Sequence, residues 1–99
     1  MAAREVDFHE EAAIEFKEAF LWYLERNTAI AVVFADELTR SVQIIAEAPE
    51  RWPAHAAGTR KFLMRRFPFV IVYRESGDVI QILAVAHAKR RPGYWSSRL

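Results

Sequence analysis

Residues 60–87 read Arg60-Lys-Phe-Leu-Met-Arg-Arg-Phe-Pro-Phe-Val-Ile-Val-Tyr-Arg-Glu-Ser-Gly-Asp-Val-Ile-Gln-Ile-Leu-Ala-Val-Ala-His87, and their period decides the fold. β-Branched and aromatic residues dominate Arg60–Arg66, Phe69–Glu75 and Val79–His87, and their alternation is that of strands. Phe67-Pro68 and Ser76-Gly77-Asp78 interrupt the runs with residues suited to tight turns. Three strands joined by two short turns predict an antiparallel meander.

Tight turns would set Arg66 opposite Phe69 and Arg74 opposite Val79. Alternation then sorts the side chains onto two faces. One face collects Arg60, Phe62, Met64, Arg66, Phe69, Ile71, Tyr73, Ile80, Ile82, Ala84 and Ala86, nearly all apolar and suited to covering other elements. The second collects Lys61, Leu63, Arg65, Val70, Val72, Arg74, Val79, Gln81, Leu83, Val85 and His87. On that face cations ring an aliphatic centre, expected to lie open until a partner buries it. A one-residue slip would exchange the faces.

Upstream the period becomes helical. Ala12, Phe16, Ala19, Phe20, Tyr23 and Leu24 form an apolar stripe through about Arg26, and Glu11, Glu15, Glu18 and Glu25 lie off it as a solvated row. Asp7 and Glu10 have capping-box spacing at the start. Asn27 and Thr28 break the helix and cap a second one, with Ile30, Phe34, Leu38, Val42 and Ile45 on one face up to Pro49. Residues 3–8 alternate weakly, as a short edge strand would. The predicted fold is therefore α+β: an N-terminal edge strand and a helical hairpin packed on a C-terminal antiparallel meander, in a single domain over residues 1–99.

A chain of 99 residues that is 53% hydrophobic can bury one core. It has no cysteine, which excludes disulfides, thiolate metal sites and a cysteine nucleophile. No apolar run is long enough for a membrane span and no secretory leader is recognisable, so a cytoplasmic location is expected. His9 and His55 lack zinc-site spacing, there is no phosphate-binding glycine motif, and neither metal nor cofactor is expected. The net charge of +1 conceals an asymmetry: residues 1–50 carry 4 Lys/Arg and 11 Asp/Glu, residues 51–99 carry 10 and 2. A basic C-terminal half points to an anionic partner.

The element order, with Trp22-Tyr23, Pro49-Glu-Arg-Trp-Pro53, Arg60 to Arg74 and Ile82-Leu-Ala-Val-Ala-His-Ala-Lys-Arg-Arg-Pro-Gly-Tyr-Trp95, resembles the RelE/ParE superfamily of bacterial toxins over almost the whole chain. The resemblance implies the toxin of a toxin–antitoxin or plasmid-stabilisation module, joined in a hetero-oligomer by a cognate antitoxin that wraps it. Two mechanisms are described in that superfamily. RelE-like members cut mRNA in the ribosomal A site without a metal; ParE-like members poison DNA gyrase. The nuclease pattern maps here onto Lys61, Arg65, Lys89, Arg90, Arg91 and Tyr94, and an mRNA-cutting mechanism would add His87 as an acid or base. Leu63 and Val70 stand where mRNA-cutting members carry cations, and a pentacoordinate phosphate needs such cations. Their loss favours the gyrase-directed reading over the mRNA endonuclease; a degenerate member that only binds antitoxin is a third possibility.

Residues expected to contact antitoxin or target are Leu63, Arg65, Val70, Val72, Arg74, Gln81, Leu83, Val85, Arg90, Arg91, Trp95 and Arg98. Several have a plainer alternative. His87 is either a general acid–base or a strand-end histidine packed on the tail, and Tyr94-Trp95 either stack on a base or pin the tail to the core. Trp52 is expected to plug its loop into the core. Ile14 and Leu21 are either a minor oligomer seam or scattered exposed apolars.

Overall fold

The computed structural model describes residues 3–99. The elements run β1 (Glu5–Phe8), α1 (Glu10–Arg26), α2 (Thr28–Glu47), β2 (Arg60–Leu63), β3 (Phe69–Ser76) and β4 (Val79–His87). The sheet order is β1-β4-β3-β2, with β1 parallel to β4 and the other pairs antiparallel. Both helices cover one face, where Phe62, Ile71, Tyr73, Ile80 and Ile82 meet Ala12, Ala19, Phe34, Leu38 and Ile45. The predicted α+β order of strand, helical hairpin and meander is the observed one.

Phe34 is at the hub of the core. Its ring lies 6.0 Å from Phe16, 5.1 Å from Tyr23, 5.2 Å from Phe67 and 5.4 Å from Phe69, so both helices and the β2–β3 connection converge on it. The helix stripes hold except at their hairpin ends, where Leu24 and Ile30 are exposed. Asn27 caps α2 as expected, its Oδ1 accepting the Ile30 amide at 3.1 Å. Asp7 does not cap α1. It belongs to β1, which stays extended along β4 through Phe8, and the cap is His9, whose Nδ1 accepts the Glu11 amide.

Strand β2 is shorter than its pattern predicts. It ends at Leu63, opposite Val70, rather than pairing Arg66 with Phe69. The buried Glu37 carboxylate on α2 explains why: it accepts the amides of Arg65 (2.7 Å) and Arg66 (3.2 Å) and the Arg66 Nε (3.0 Å). These donors leave the ladder, and Phe67 turns inward onto Tyr23 and Phe34. At the other turn Ser76 pairs with Val79 across a two-residue loop. Gly77 sits there at φ 61°, the first central position of a type II′ turn.

The largest departure is a β-bulge. Opposite Val72 and Tyr73, β4 shifts register between Ala84 and Ile82, leaving Leu83 as an extra residue. Alternation beyond it is inverted. Val85, paired with Ile71, joins the helix-side core, and His87, paired with Phe69, points the same way; Ala84 and Ala86 turn to the opposite face. These four assignments reverse the expected ones.

The opposite face is also not open at its centre. Trp95, 3% exposed, lies over Val72, Leu83, Ala84 and Ala86, with Val70 and Tyr94 at the edge. The chain after β4 doubles back and supplies its own roof; of the expected aliphatic patch, only Leu63 (63% exposed) and the half-buried Val70 reach solvent. Trp52 packs on Phe62 at 4.6 Å, as expected.

Two consequences are testable. Phe34→Ala should destabilise the protein by about 3–5 kcal/mol in urea unfolding, since no neighbour can refill so central a cavity. At Glu37, burial pushes the carboxyl pKa up, but the amide and side-chain donors of Arg66 and the amide of Arg65 outweigh it and leave a net lowering from 4.5. The carboxylate's stabilisation is then complete above that value and vanishes as pH falls through the lowered native one. Glu37→Gln should accordingly reduce stability at neutral pH and flatten its loss on acidification.

Candidate functional site

The C-terminal tail is fixed by one carboxylate. Past Phe8, β1 no longer flanks β4, so the bulged segment faces α1 with unpaired backbone groups. Glu15 on α1 fills the gap: its Oε1 accepts the Val85 amide at 3.0 Å. The same carboxylate accepts Arg98 Nη1 at 2.9 Å, Arg98 Nη2 at 3.0 Å and the Tyr94 hydroxyl at 2.7 Å, while Arg98 Nη1 also donates to the Leu83 carbonyl at 3.0 Å. The Glu15 and Arg98 side chains are each only 11% exposed.

Charge and proton positions follow. Hydrogen bonding to Glu15 holds the Arg98 guanidinium pKa above its usual range despite burial. Burial, then the adjoining carboxylate, pushes the Tyr94 phenol well above the ordinary tyrosine value. That phenol is a fixed hydrogen-bond donor and a poor proton source. The expected solvated row on α1 thus has one member turned largely inward. Glu15 lies three residues after Ala12 and four before Ala19, both buried, and that spacing is the signal that could have found it. Glu37, three residues after Phe34 and four before Ser41, both buried, carries the same mark.

The site residues expected from sequence divide into separate neighbourhoods. Lys61 pairs with Val72 on the roofed face, beside the half-buried Arg74, whose Nε donates to Gln81 at 2.8 Å. Arg65 is exposed in the β2–β3 connection, its backbone held by Glu37. Val72, Leu83 and Val85 are buried, Val85 on the helix side. Lys89, Arg90 and Arg91 occupy the exposed turn after β4, where the Arg90 guanidinium stacks 3.9 Å over Tyr94. Trp95 roofs the sheet and Arg98 anchors the tail. His87 lies on the helix side, 5.3 Å from Phe69. The bulge therefore separates His87 from Lys61 by the thickness of the sheet.

His87 opens instead into a cleft of about 450 Å³ between α1 and the end of β4. Its walls include Glu18, Trp22 and Tyr23 from the helix and Phe69, Val85 and Arg90 from the sheet side. Trp22, half exposed, is braced by Arg26, whose guanidinium stacks 3.6 Å from the ring centroid. A second depression lies between α2 and β2, where Arg40, Arg65 and Arg66 surround Phe62 and Ile44. Among the described residues, no helix is long and apolar enough to cross a membrane.

Residues 6–92 match the family described as the ParE toxin of type II toxin–antitoxin system, parDE. No curated protein matches the sequence. Among solved structures, the chromosomal ParDE TA system from P. aeruginosa contains a chain 19% identical, with a TM-score of 0.75 over 86% of this chain and 96% of that one. A mutant of E. coli toxin RelE in the free state, with two of its own arginines replaced by alanine, is 18% identical, with a TM-score of 0.66 over 98% of this chain and 94% of that one. Both have the same fold as this chain.

Removing the anchor should loosen the tail. Glu15→Ala leaves Arg98 buried without its partner and should cost about 3–5 kcal/mol. Limited proteolysis after residue 88 and a red shift of Trp95 fluorescence should both increase, whereas an unchanged tail would show that Trp95 holds it alone.

Proposed function

Because the chain belongs to the ParE toxin family of type II toxin–antitoxin systems, we propose that it inhibits DNA gyrase and that a cognate antitoxin neutralises it. The observation that carries this reading is the dispersal of the nuclease-pattern residues. Cleavage by 2′-hydroxyl attack requires a base, an acid and phosphate-binding cations within reach of one phosphodiester. Here Lys61 and His87 lie on opposite faces of the sheet, and Tyr94 donates to Glu15. Leu63 and Val70, directly paired, put aliphatic side chains where the RNA-cutting pattern has cations. Such a surface suits binding better than acid–base chemistry.

The binding surface we favour is the rim left around the Trp95 roof: Leu63 and Val70 as its apolar part, Lys61 and Arg74 as its cations, Arg65 beyond them at the edge toward α2, and Arg90 and Arg91 on the adjoining turn. Arginine suits such a rim because its planar fork pairs with carboxylate and phosphate alike. Gln81 fixes Arg74 at the margin, while the buried Val72, Leu83, Val85 and Trp95 support the surface and Arg98 holds the tail. The antitoxin is expected to cover the same rim.

The decisive measurement is supercoiling by purified gyrase with the toxin added. Inhibition, together with induction of the DNA-damage response when the toxin is expressed alone, is the expected outcome; normal supercoiling with cleaved mRNA would establish the endonuclease reading instead. Arg65→Ala should abolish toxicity while preserving the thermal midpoint, because Glu37 holds the Arg65 amide rather than its side chain.

A further inference from the structure

The α1–β4 cleft contains chemistry that the gyrase reading uses only at Arg90, on its border. On the helix wall, Glu15 is saturated by Arg98, Tyr94 and the Val85 amide, but the exposed Glu18 makes no ion pair among the described residues. On the sheet wall, the Arg90 guanidinium stacks on Tyr94 and has no carboxylate partner among the described residues. His87 Nδ1 accepts the Lys89 amide at 3.1 Å, so the proton of the neutral ring is on Nε2, a second donor. Between the walls lie the aromatic surfaces of Trp22, Tyr23 and Phe69.

A matching ligand has adjacent N–H donors, a flat π face and an anionic group at its other end. We propose that this cleft binds a guanine nucleotide. Guanine N1–H and its N2 amino group form a parallel pair of donors that one carboxylate can accept together. Adenine and cytosine place a ring acceptor beside their amino group and would set its lone pair against Glu18. The base stacks on the aromatic surfaces, and its phosphate meets Arg90, with Lys89 and Arg91 adding positive potential. An arginine side chain from a protein could also present paired donors to Glu18, but it would bring a further cation to the Lys89–Arg91 turn. The volume is within the range that holds small organic ligands. The site does not depend on which target the toxin inhibits.

Titration of GMP into ¹⁵N-labelled full-length protein should shift the Trp22 indole and His87 signals, with AMP and CMP at least about tenfold weaker. Glu18→Gln should bring GMP down to the level of AMP without moving the thermal midpoint, and Arg90→Ala should weaken GMP more than guanosine. A guanine-containing single strand that binds more tightly than GMP would identify a strand as the natural source, and equal affinities the free nucleotide; either result supports the site. Equal binding of AMP and GMP, unaltered GMP binding by Glu18→Gln, no GMP-induced shift, or tighter binding of N-acetylarginine amide would overturn it.

Discussion

A buried carboxylate is costly unless every lone pair has a use, and Glu15 has one for each. It receives a backbone amide from the β4 bulge, a guanidinium and a phenol from the tail, and is carried by the first helix. Three regions distant in sequence are thereby bound to one side chain. The bulge exposes the Val85 amide, Glu15 satisfies it, and the leftover charge draws in Arg98. Arg98 in turn caps the Leu83 carbonyl, the other backbone group that β1 is too short to pair. A strand edge that would otherwise need another strand is closed by two side chains. With the tail so fixed, Trp95 can roof the far face of the sheet.

Glu37 plays the corresponding part at the other side of the sheet. It takes two consecutive amides out of the β2–β3 ladder and fixes one guanidinium of an exposed arginine pair. The cations available to a partner are those these two acids leave over. Arg66 and Arg98 are committed to carboxylates; Lys61, Arg65, Arg90 and Arg91 have no acidic partner among the described residues. The basic C-terminal half is thus partly neutralised from within, and fewer of its cations are free than the raw charge count implies.

The parts of this arrangement legible in sequence were those written in a local period. The helices, their break at Asn27 and the three strand runs followed from spacing, because a helix stripe and a strand alternation are set by backbone geometry over a few residues. The bulge was illegible for a specific reason: Leu83-Ala84-Val85-Ala86 is apolar throughout, so a one-residue insertion leaves no misplaced polar residue to mark it. Only His87 lies beyond, and a histidine is admissible on either face. The roof is not legible in the pattern because alternation describes a sheet's two sides without saying which later segment returns to cover one. Glu15 looked like its neighbours Glu11 and Glu18 because its partners are up to 83 residues away.

The parallel pairing of β1 with β4 affects how the chain is made. Glu5 aligns with Val79, so the first strand waits for more than 70 residues to be synthesised before its partner strand exists. Long-range closure of this kind is slow compared with forming the helical hairpin. During synthesis the helices therefore emerge with their apolar stripe uncovered, and the roofed sheet face with its rim of cations does not yet exist. A partner that recognises the finished sheet therefore meets its surface only once the last strand has closed.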